Sequence, residues 1–547
     1  MSEIPDELRG LGRRIGLTVA ALAAGLLLAG CGHRETLVEQ GNREEILHIG
    51  IGQELDDLDP ALATQDSDYR VLSALFEGLV SEDPVDLHPV PGVAERWDVS
   101  PDGRVYTFHL RNTARWSNGE PVTASDFVES VNRVLSPGLA APNASQMYVI
   151  RGAEDYNLGK TKDFSTVGVK AITPRTLRIT LAHPTPYFLS MLNQSVWFPV
   201  NVASIARTGA VDSRGNAWAR PGRLVGDGPF TLKEWSLDHR IVVTRSKTYW
   251  DAARVRLRGI DFYPYGIQTE ERVFRAGQLH ITDALPPDKV DWYRQHDPRV
   301  LRIDPLLGTY FYRINTRVHA LSDPRVRRAL ALAIDRHTIC SRILRGGQKP
   351  AHSFTPPGTA GYEPPDGPHY DPVEARRLLA QAGYPGGKGF PGVEILYNSS
   401  EAHRQIAEAI QEMWRKQLGI SANLTNMELT SVLDARRTGS FQILRSSWTG
   451  DYADPQDFLE IWEAGSGNNF TGWKDPVYDA LIDRAAASAD NAARFVLLRQ
   501  AEARLLSAGP VIPLYFYTHV YLVSSSVQGW YPNILDHHPY KYVWLKP

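Results

Sequence analysis

Cysteine is almost absent from this sequence. Among its 547 residues there are two cysteines, Cys31 and Cys340. Because Cys31 ends an N-terminal apolar segment, Cys340 has no partner in the body of the chain. A disulfide-stapled scaffold and a structural zinc site built on cysteines are therefore excluded. Cys340 lies in a helical pattern, which predicts a small, buried apolar side chain.

A strong charge of one sign is also missing. The formal net charge is -3, so the chain shows no basic footprint for nucleic acid. Hydrophobic residues make up 43% of the chain and charged residues 22%, as in folded globular proteins. At this length we expect two or three domains rather than a single core.

Recognisable catalytic motifs are the third absence. The sequence contains no H-E-x-x-H, no G-x-S-x-G and no G-x-G-x-x-G that follows a strand. Asp451 and Asp454 could in principle form an acid–base pair, but carboxylates in Asp-Pro turns are common. His537 and His538 are expected in a surface turn rather than a metal site, because adjacent side chains point in different directions. The sequence thus indicates neither an enzyme nor a cofactor.

Residues 1–31 have the order of a secretory signal. Three arginines precede an apolar run, 15–28, that is shorter than the roughly twenty residues needed to span a bilayer. The run L-A-G-C that ends at Cys31 resembles the bacterial lipoprotein signal, in which the cysteine thiol receives lipid. We expect a signal peptide over 1–31, lipid on Cys31 and a flexible leash over 32–45. The alternative is a plain cleaved signal with a chance cysteine.

Strand and helix patterns alternate along the mature chain. Alternating or short apolar runs predict strands at 46–52, 104–111, 176–182, 393–398 and 420–426. Apolar residues at helical spacing predict helices at 67–80, at 371–383 with Asp371 as its cap, at 403–419 and from the Thr123 cap to Leu135. This alternation indicates an α/β fold whose sheets are covered by helices.

Six segments carry a family resemblance. They are LFEGLVSED (75–83), HPVPGVAERWDVSPDGRVYTFHLR (88–111), ARWSNGEPVTASDFVESVNRVLSP (114–137), GDGPFTLKEW (226–235), NTRVHALSDPRVRRALALAIDR (315–336) and WTGDYADPQDFL (448–459). Together they resemble the oligopeptide-binding proteins of bacterial ABC importers, which belong to extracellular solute-binding protein family 5. The likeness runs through essentially the whole mature chain. The same family includes dipeptide, nickel and murein-peptide binders, so the fold alone does not fix the ligand.

The resemblance implies a type II periplasmic-binding-protein fold of cluster C, an α/β architecture of three domains in two lobes that close on ligand. Domain I would combine 46–76, 201–305 and 519–547. Domain II would span 77–200, and domain III, the closing lobe, 306–518. The chain crossings between the lobes would act as the hinge.

The resemblance also implies a function and its partners. The chain would be the substrate-binding protein of an ABC transporter, in the periplasm or cell envelope and held to the membrane by lipid alone. As a monomer it would capture oligopeptides by their free N-terminus and backbone and deliver them to a permease heterodimer with ATPase subunits. Ligand contacts would bias an open–closed equilibrium, and the closed form would dock on the permease. Nucleic acid has no part in this function.

The run WTGDYADP at 448–455 is central to the ligand site. On its own it reads as a turn, because Asp-Pro and Gly450 favour a bend. In the resembling proteins, the aspartate that matches Asp451 pairs with the peptide's α-amino group, and Trp448 would wall this pocket. An ammonium desolvated in a closed cleft needs an anionic partner, and no basic residue stands beside Asp451 in the sequence.

Four further contacts follow from the resemblance. Arg445, Arg436 and His403 match positions that face ligand carboxylates for particular peptide lengths. Tyr517 matches a tyrosine that lines the ligand's first side-chain region. Taken alone, the arginines fit surface positions, His403 fits a helix start and Tyr517 fits a sheet core.

Some positions depart from the family pattern. Leu429 stands where close relatives carry a pocket tryptophan, and Asn143 where they carry a tyrosine. Gly308 and Thr449 stand where enteric members carry a cysteine pair. The side-chain pockets are therefore expected to differ in shape.

Other functions remain open at this point. On the same fold, the ligand could be murein tripeptide, a nickel chelate or an oligosaccharide, although Asp451 favours a ligand with a free amine. From another class, a secreted lipid-anchored peptide hydrolase could use Asp451 and His403. An adhesin or signalling receptor without transport is a third alternative.

Overall fold

The computed structural model describes residues 35–547, so the predicted signal peptide and Cys31 lie outside the described residues. The strands are β1 (Ile46–Gly50), β2 (Val80–Glu82), β3 (Pro89–Pro91), β4 (Ala94–Val99), β5 (Val105–Leu110), β6 (Val169–Thr173), β7 (Thr176–Thr180), β8 (Phe230–Ser236), β9 (Arg240–Arg245), β10 (Gly259–Tyr263), β11 (Leu301–Ile314), β12 (Lys349–Pro350), β13 (Val393–Asn398), β14 (Ala422–Met427), β15 (Ile443–Thr449), β16 (Val511–Leu522), β17 (Val527–Gln528) and β18 (Trp544–Leu545).

One α-helix precedes β1, and the others lie between the strands along the chain. They are α1 (Leu37–Glu44), α2 (Asp66–Leu75), α3 (Ala124–Leu135), α4 (Ala153–Asn157), α5 (Phe188–Met191), α6 (Val202–Ala206), α7 (Ile267–Arg275), α8 (Val290–His296), α9 (Pro324–Leu332), α10 (Arg336–Thr338), α11 (Pro372–Gln381), α12 (Glu401–Leu418), α13 (Leu429–Thr438), α14 (Pro455–Leu459), α15 (Pro476–Ala486) and α16 (Asn491–Ala508). Among residues 35–547, none of the helices combines the length and apolar character needed to cross a bilayer.

Sheet I has the order β1-β10-β9-β8, with β1 parallel to β10 and the other pairs antiparallel. The apolar run predicted at 46–52 supplies β1, whose Leu47 and Ile49 are fully buried. The core around this sheet draws on residues from 47–76, 198–281 and 521–545. Distant parts of the chain therefore share one core.

Sheet II has the order β4-β5-β7-β6 and is antiparallel throughout. Alternation in β5 buries Tyr106, Phe108 and Leu110 on one face, as the sequence predicts. The core beneath this sheet is built from residues between 61 and 197, joined by Tyr452 from a distant segment. Tyr452 thus brings the WTGDYADP run against this core.

Sheet III is a mixed six-stranded sheet in the order β12-β16-β11-β15-β13-β14. Its β13–α12–β14 segment is a parallel crossover unit, which confirms the α/β alternation read from 393–426. The buried face of α12 carries Ile406, Ile410, Trp414 and Leu418, the stripe predicted from helical spacing. Apolar side chains cover both faces of this sheet.

Two long strands connect sheet III with the core of sheet I. β11 and β16 pair antiparallel from Leu301 with Leu522 to Arg313 with Val511, with a register shift between Pro305 and Thr309. Proline cannot donate a ladder hydrogen bond, so regular pairing is interrupted here. The pairing of β11 with β16 is therefore irregular at one point between sheet III and the core of sheet I.

The predicted helix caps are confirmed. Both the backbone N–H and the hydroxyl of Thr123 donate to the Asp126 carboxylate, at 2.7 and 2.8 Å. Asp371 accepts hydrogen bonds from the Val373 and Glu374 backbone N–H groups at the start of α11. These contacts satisfy N–H groups that have no partner within their helix. Cys340 is buried, as predicted.

The side chains of His537 and His538 are largely buried rather than in a surface turn, so this expectation was wrong. His537 Nδ1 lies 2.8 Å from the Glu82 carboxylate, and His538 Nε2 lies 3.0 Å from Asp536. Glu82 belongs to β2, which lies far from His537 in the chain. The pair serves the packing of the C-terminal segment.

The leash expected over 32–45 is corrected for residues 37–44, which form α1. Its Val38 N–H donates to the Gly277 carbonyl at 3.0 Å, and Asn42 contacts the His280 ring at 3.1 Å. Gly41 is buried where a Cβ would lie 2.4 Å from the Ile46 carbonyl oxygen. The segment is polar because only one narrow face contacts the body.

The substitution Gly41→Ala is therefore expected to detach α1. The new Cβ cannot fit against a backbone carbonyl, whereas the core of sheet I loses no apolar contact. Limited proteolysis should cut at 35–45 several-fold faster than in the parent protein, with the melting temperature almost unchanged. Gln40→Ala, on the same helix, is the control and should not change the cleavage rate. Equal protection of Gly41→Ala would contradict the docked helix.

Candidate ligand-binding site

Gly450 sets the position of the acid at the end of β15. Its N–H donates to the Leu307 carbonyl at 2.8 Å, which holds the chain close to β11. A Cβ here would lie 2.5 Å from the Leu307 side chain and 3.0 Å from Phe458. Only glycine allows this close approach, so the chain can turn after Thr449 and present Asp451 to the space beyond the sheet.

A cavity of about 830 Å³ lies in front of Asp451. One wall comes from residues between 145 and 191 of the sheet II core, and the other from residues between 448 and 479. The two walls touch where the Tyr187 and Tyr452 rings stack with centroids 4.5 Å apart. Gln194 also donates to the Asp451 backbone carbonyl at 2.8 Å. We call this cavity the cleft.

The cleft is acidic. Its lining contains one histidine, His183, and six carboxylates, Glu154, Asp451, Asp457, Glu460, Glu463 and Asp479. No Lys or Arg among residues 35–547 forms an ion pair with Asp451, whose side chain opens to the cleft. Partial desolvation by the walls raises the pKa of Asp451. Such a site lacks a positive charge.

Trp448 does more than wall the pocket, because its indole N–H donates to the Asp457 carboxylate at 2.9 Å. Asp457 is 2% exposed. Burial, followed by the negative charge of Asp451, raises its pKa well above the ordinary value. Glu460 and Glu463 follow the same pattern, since burial raises the pKa of each to about 7.

Asp454 has a different environment from Asp451. It accepts from the Gln456 N–H at 2.8 Å as the cap of α14, and Arg494 binds both of its oxygens through two nitrogens. Both members of this pair are buried. Asp454 is therefore a structural carboxylate, and the acid–base pair considered from the sequence does not form.

Arg445, His403 and Tyr517 come together around the Tyr310 ring. The Arg445 guanidinium lies 4.7 Å from the centroid of that ring and donates to the Tyr517 hydroxyl at 3.2 Å. His403 Nδ1 lies 3.3 Å from the Tyr310 hydroxyl. Burial and the charge of Arg445 lower the pKa of His403 to about 4. The imidazole is thus neutral at pH 7 beside a guanidinium that has no carboxylate partner among the described residues.

Arg436 does not join that group. Its guanidinium packs on the Phe470 ring at 4.8 Å, and burial lowers its pKa. Strand alternation also separates Arg445 from Trp448, because residues three apart in β15 point to opposite faces of sheet III. Of the six predicted ligand-binding residues, the structure places Asp451 and Trp448 in the cleft, groups three around Tyr310 and leaves Arg436 apart.

The acids that complete the cleft were missed in the sequence. A signal for them was available, because an acid occurs at every third residue in Asp451, Asp454, Asp457, Glu460 and Glu463. Residues three apart share a face of a helical turn, and α14 continues into a 3-10 turn over Glu460–Trp462. The contact between Tyr187 and Tyr452 could not be predicted from local sequence, because the two residues are far apart in the chain.

The departures from the family pattern also have defined positions. Gly308 and Thr449 are direct partners in the register of β11 with β15. A Cβ on Gly308 would lie 3.0 Å from the Tyr517 ring. Leu429 is 53% exposed at the start of α13, and Asn143 donates to the Ala63 carbonyl at 3.3 Å.

Comparisons with known proteins agree with this architecture. The model of the bacterial extracellular solute-binding proteins, family 5 middle region, matches residues 88–470. The periplasmic oligopeptide-binding protein OppA of Escherichia coli is 35% identical over 521 residues, which covers 93% of this chain and 92% of OppA.

Solved structures support the same relationship. The unliganded open form of the periplasmic murein tripeptide-binding protein MppA superposes with a TM-score of 0.83 at 34% identity, covering 92% of this chain and 97% of that one. A second structure, of the Escherichia coli murein tripeptide-binding protein MppA, gives a TM-score of 0.72 at the same identity, with coverage of 91% and 98%.

Asp451→Asn and Asp454→Asn are expected to differ in stability. Removing one partner of the buried Asp454–Arg494 pair leaves an uncompensated charge and should cost about 3–5 kcal/mol of unfolding free energy. Asp451→Asn removes no ion-pair partner and should change stability by less than about 1 kcal/mol. Urea denaturation of the ligand-free proteins measures both values. Equal losses would show that Asp451 is also a structural carboxylate.

The cleft acids should make stability depend on pH. Glu460 and Glu463 have folded-state pKa values of about 7 against an ordinary 4.5, so the folded state binds their protons more tightly. Their destabilising effect is therefore absent below about pH 4.5 and complete above about pH 7. At each pH, the melting temperature of the Glu460→Gln/Glu463→Gln variant is compared with that of the parent protein. The increase over the parent should be larger at pH 8 than at pH 5. A gain that is the same at both pH values would contradict these shifts.

Proposed function

The chain belongs to family 5 of the bacterial extracellular solute-binding proteins, and we propose that it is the peptide-capturing component of an ABC importer. The observation that carries this proposal is the Asp451 carboxylate, which faces the cleft between two walls and has no Lys or Arg partner within residues 35–547. OppA, whose name describes an oligopeptide-binding protein, aligns over 92% of its length. The leading ammonium of a peptide supplies the charge that the cleft lacks.

Peptide binding would proceed by closure on this ammonium. In the open cleft water solvates the Asp451 carboxylate, and closure replaces that water by the ligand's amine. The pair is strong once it is desolvated, and it lowers the pKa of Asp451 towards its ordinary value. The peptide backbone would bind as an added strand, with little dependence on sequence. Water would fill mismatches around the side chains.

The remaining predicted residues would bind the distal part of the ligand. Arg445 has no carboxylate partner among the described residues, and its Nε atom is buried without a hydrogen bond. Together with His403 and Tyr517 it offers a cationic, hydrogen-bonding surface. A ligand carboxylate there would raise the pKa of His403 and add a second contact.

The three-domain division is part of the proposal. The core of sheet II lies within 77–200 apart from Ala61 and Tyr452, and the core of sheet I lies within the three segments assigned to domain I apart from Phe198 and Val200. The proposed boundaries at 305/306 and 518/519 coincide with the irregular point of β11 and β16. This point would be the hinge, and the TM-score of 0.83 with the unliganded open form of MppA supports an open conformation.

The periplasmic relatives support a location outside the cytoplasmic membrane. The proposal adds lipid at Cys31, delivery of the peptide to a permease heterodimer with ATPase subunits, and no catalysis by the chain itself. The Asp454–Arg494 pair and the separate positions of Asp451 and His403 give no support to the hydrolase alternative.

A Cys31→Ser variant should lose incorporation of radiolabelled palmitate and leave the membrane fraction. Unchanged labelling would contradict the anchor.

Asp451→Asn should weaken peptide binding by at least about thirtyfold, because breaking a buried charge pair typically costs 2 kcal/mol or more. N-acetylation of the peptide should weaken binding to the parent protein to a similar extent. Calorimetric titration with the same peptides measures both effects. Glu154→Gln is the matched control, since it removes an exposed acid from the opposite wall. A change within twofold for Asp451→Asn would refute the amine anchor.

Murein tripeptide remains the second candidate ligand, favoured by the similarity to MppA. Native mass spectrometry of protein purified without refolding separates the two. Peptides of mixed mass are expected for general uptake. One fixed mass would indicate a specialised binder, and a ligand without an amine would contradict both.

A further inference from the structure

Asp451 lies in a short segment without regular secondary structure. Residues 450–454 connect the end of β15 to the start of α14. At one end of this segment Gly450 donates to β11, and at the other Asp454 binds Arg494. Neither contact holds the peptide group of Asp451, which lies between the two ends. The position of its carboxylate therefore depends on what holds the middle of the segment.

The middle of the segment is held from the opposite wall of the cleft. Gln194 Nε2 donates to the Asp451 carbonyl at 2.8 Å. The next side chain, Tyr452, is 7% exposed because it packs into the core of sheet II. Its ring stacks on that of Tyr187, with 8° between the ring planes and 4.5 Å between the centroids. Two neighbouring residues of one wall are thus bound by the other wall.

The residues that supply these contacts have well-fixed backbones. Tyr187 directly precedes α5, and the residue after it, Phe188, is fully buried. Gln194 precedes a 3-10 turn over Ser195–Trp197, and the Trp197 N–H donates to the Gln194 carbonyl at 3.0 Å. Both side chains are therefore placed by the packing of sheet II and not by the segment that they contact.

We propose that Gln194, Tyr187 and Tyr452 are positioning residues for the amine-binding acid, which hold Asp451 in its binding position before the cleft closes. This inference rests on the proposed peptide capture and adds residues that act through Asp451. A carboxylate that is already ordered loses little freedom when it binds an ammonium, so the ligand gains affinity. The peptide's amine is therefore bound first, and closure follows.

The preference for a free amine measures how well Asp451 is positioned. It is the ratio of two Kd values, that of an N-acetylated alanine tripeptide over that of the same peptide with a free amine. Calorimetric titration, by displacement where binding is weak, gives both values. A contact that only stabilises the fold changes both Kd values alike, whereas a positioning contact changes the ratio.

The parent protein and Asp451→Asn set the two ends of the scale. The parent ratio should be at least about thirty, and Asp451→Asn should bring it close to one. A ratio near one in the parent would overturn the amine anchor and this inference with it. A high parent ratio supports the anchor and leaves the variants below to decide the positioning role alone.

Gln194→Met removes the hydrogen-bond donor and retains a side chain of similar length. The ratio should fall about three- to tenfold, as expected for one neutral hydrogen bond, with the melting temperature within about 2 °C of the parent. Gln146→Met is the matched control and should keep the ratio within twofold. Gln146 lines the same wall and makes no hydrogen bond to Asp451 in the described part of the chain. An unchanged ratio in Gln194→Met overturns the proposal.

A matched pair at Tyr187 tests the ring contact. Tyr187→Leu removes the ring that stacks on Tyr452 and should lower the ratio at least about threefold. Tyr187→Phe keeps the ring and should keep the ratio within about twofold. If Tyr187→Leu gives the ratio of the parent, the proposal is overturned.

A covalent link between the two parts of the molecule tests whether the acid is in place before closure. A Cβ on Gly103 would lie 3.9 Å from the Ala489 Cβ, which is within the range found in disulfides. The oxidised Gly103→Cys/Ala489→Cys variant, in a Cys31→Ser background, keeps the described arrangement at this contact. Its ratio should stay within about threefold of that of the reduced form. Gly103→Cys alone controls for the strain of a side chain at a φ of 67°. A preference that is lost on oxidation and regained on reduction overturns the proposal.

Discussion

Uncompensated negative charge in the cleft is the constraint on which the rest of the structure depends. Elsewhere the fold pairs some of its buried aspartates with arginine, as in Asp59 with Arg133 and Asp454 with Arg494. At the cleft, Asp451 and Asp457 have no ion-pair partner in the described part of the chain, and they lie near further acids. Closing an empty cleft would strip water from these groups, which is unfavourable. In the proposed peptide capture, closure would therefore be coupled to the arrival of positive charge.

The residues that surround Asp451 have different structural roles. Gly450 and Leu307 fix where the chain turns, and Trp448 holds Asp457 through its indole N–H. Asp454 stabilises the start of α14 and binds Arg494, so it takes no part in neutralising a ligand. Tyr452 packs into the core on the other side of the cleft. Rigid neighbours thus surround a carboxylate that is free to accept a cation.

The fold was predictable where its causes are local. The β13–α12–β14 unit and the Thr123 and Asp371 caps depend on residues close together in sequence, and the structure confirms them. His537 was mispredicted because its partner, Glu82, is 455 residues away. In the cleft, the family resemblance predicted the positions of Asp451 and Trp448. The spacing of one acid every three residues was a signal for the further carboxylates of the cleft.

The docked helix α1 changes how the molecule would sit on a membrane. A flexible segment over the whole of 32–45 would have left the orientation of the protein relative to the membrane unrestricted. With α1 fixed from Leu37 onward, five residues, 32–36, separate it from Cys31. The six steps from Cys31 to Leu37, at about 3.3–3.6 Å per extended residue, span at most about 22 Å. A lipid on Cys31 would therefore hold the protein close to the membrane, with the Gly277 side towards the bilayer. This orientation would restrict the directions from which a membrane partner can approach.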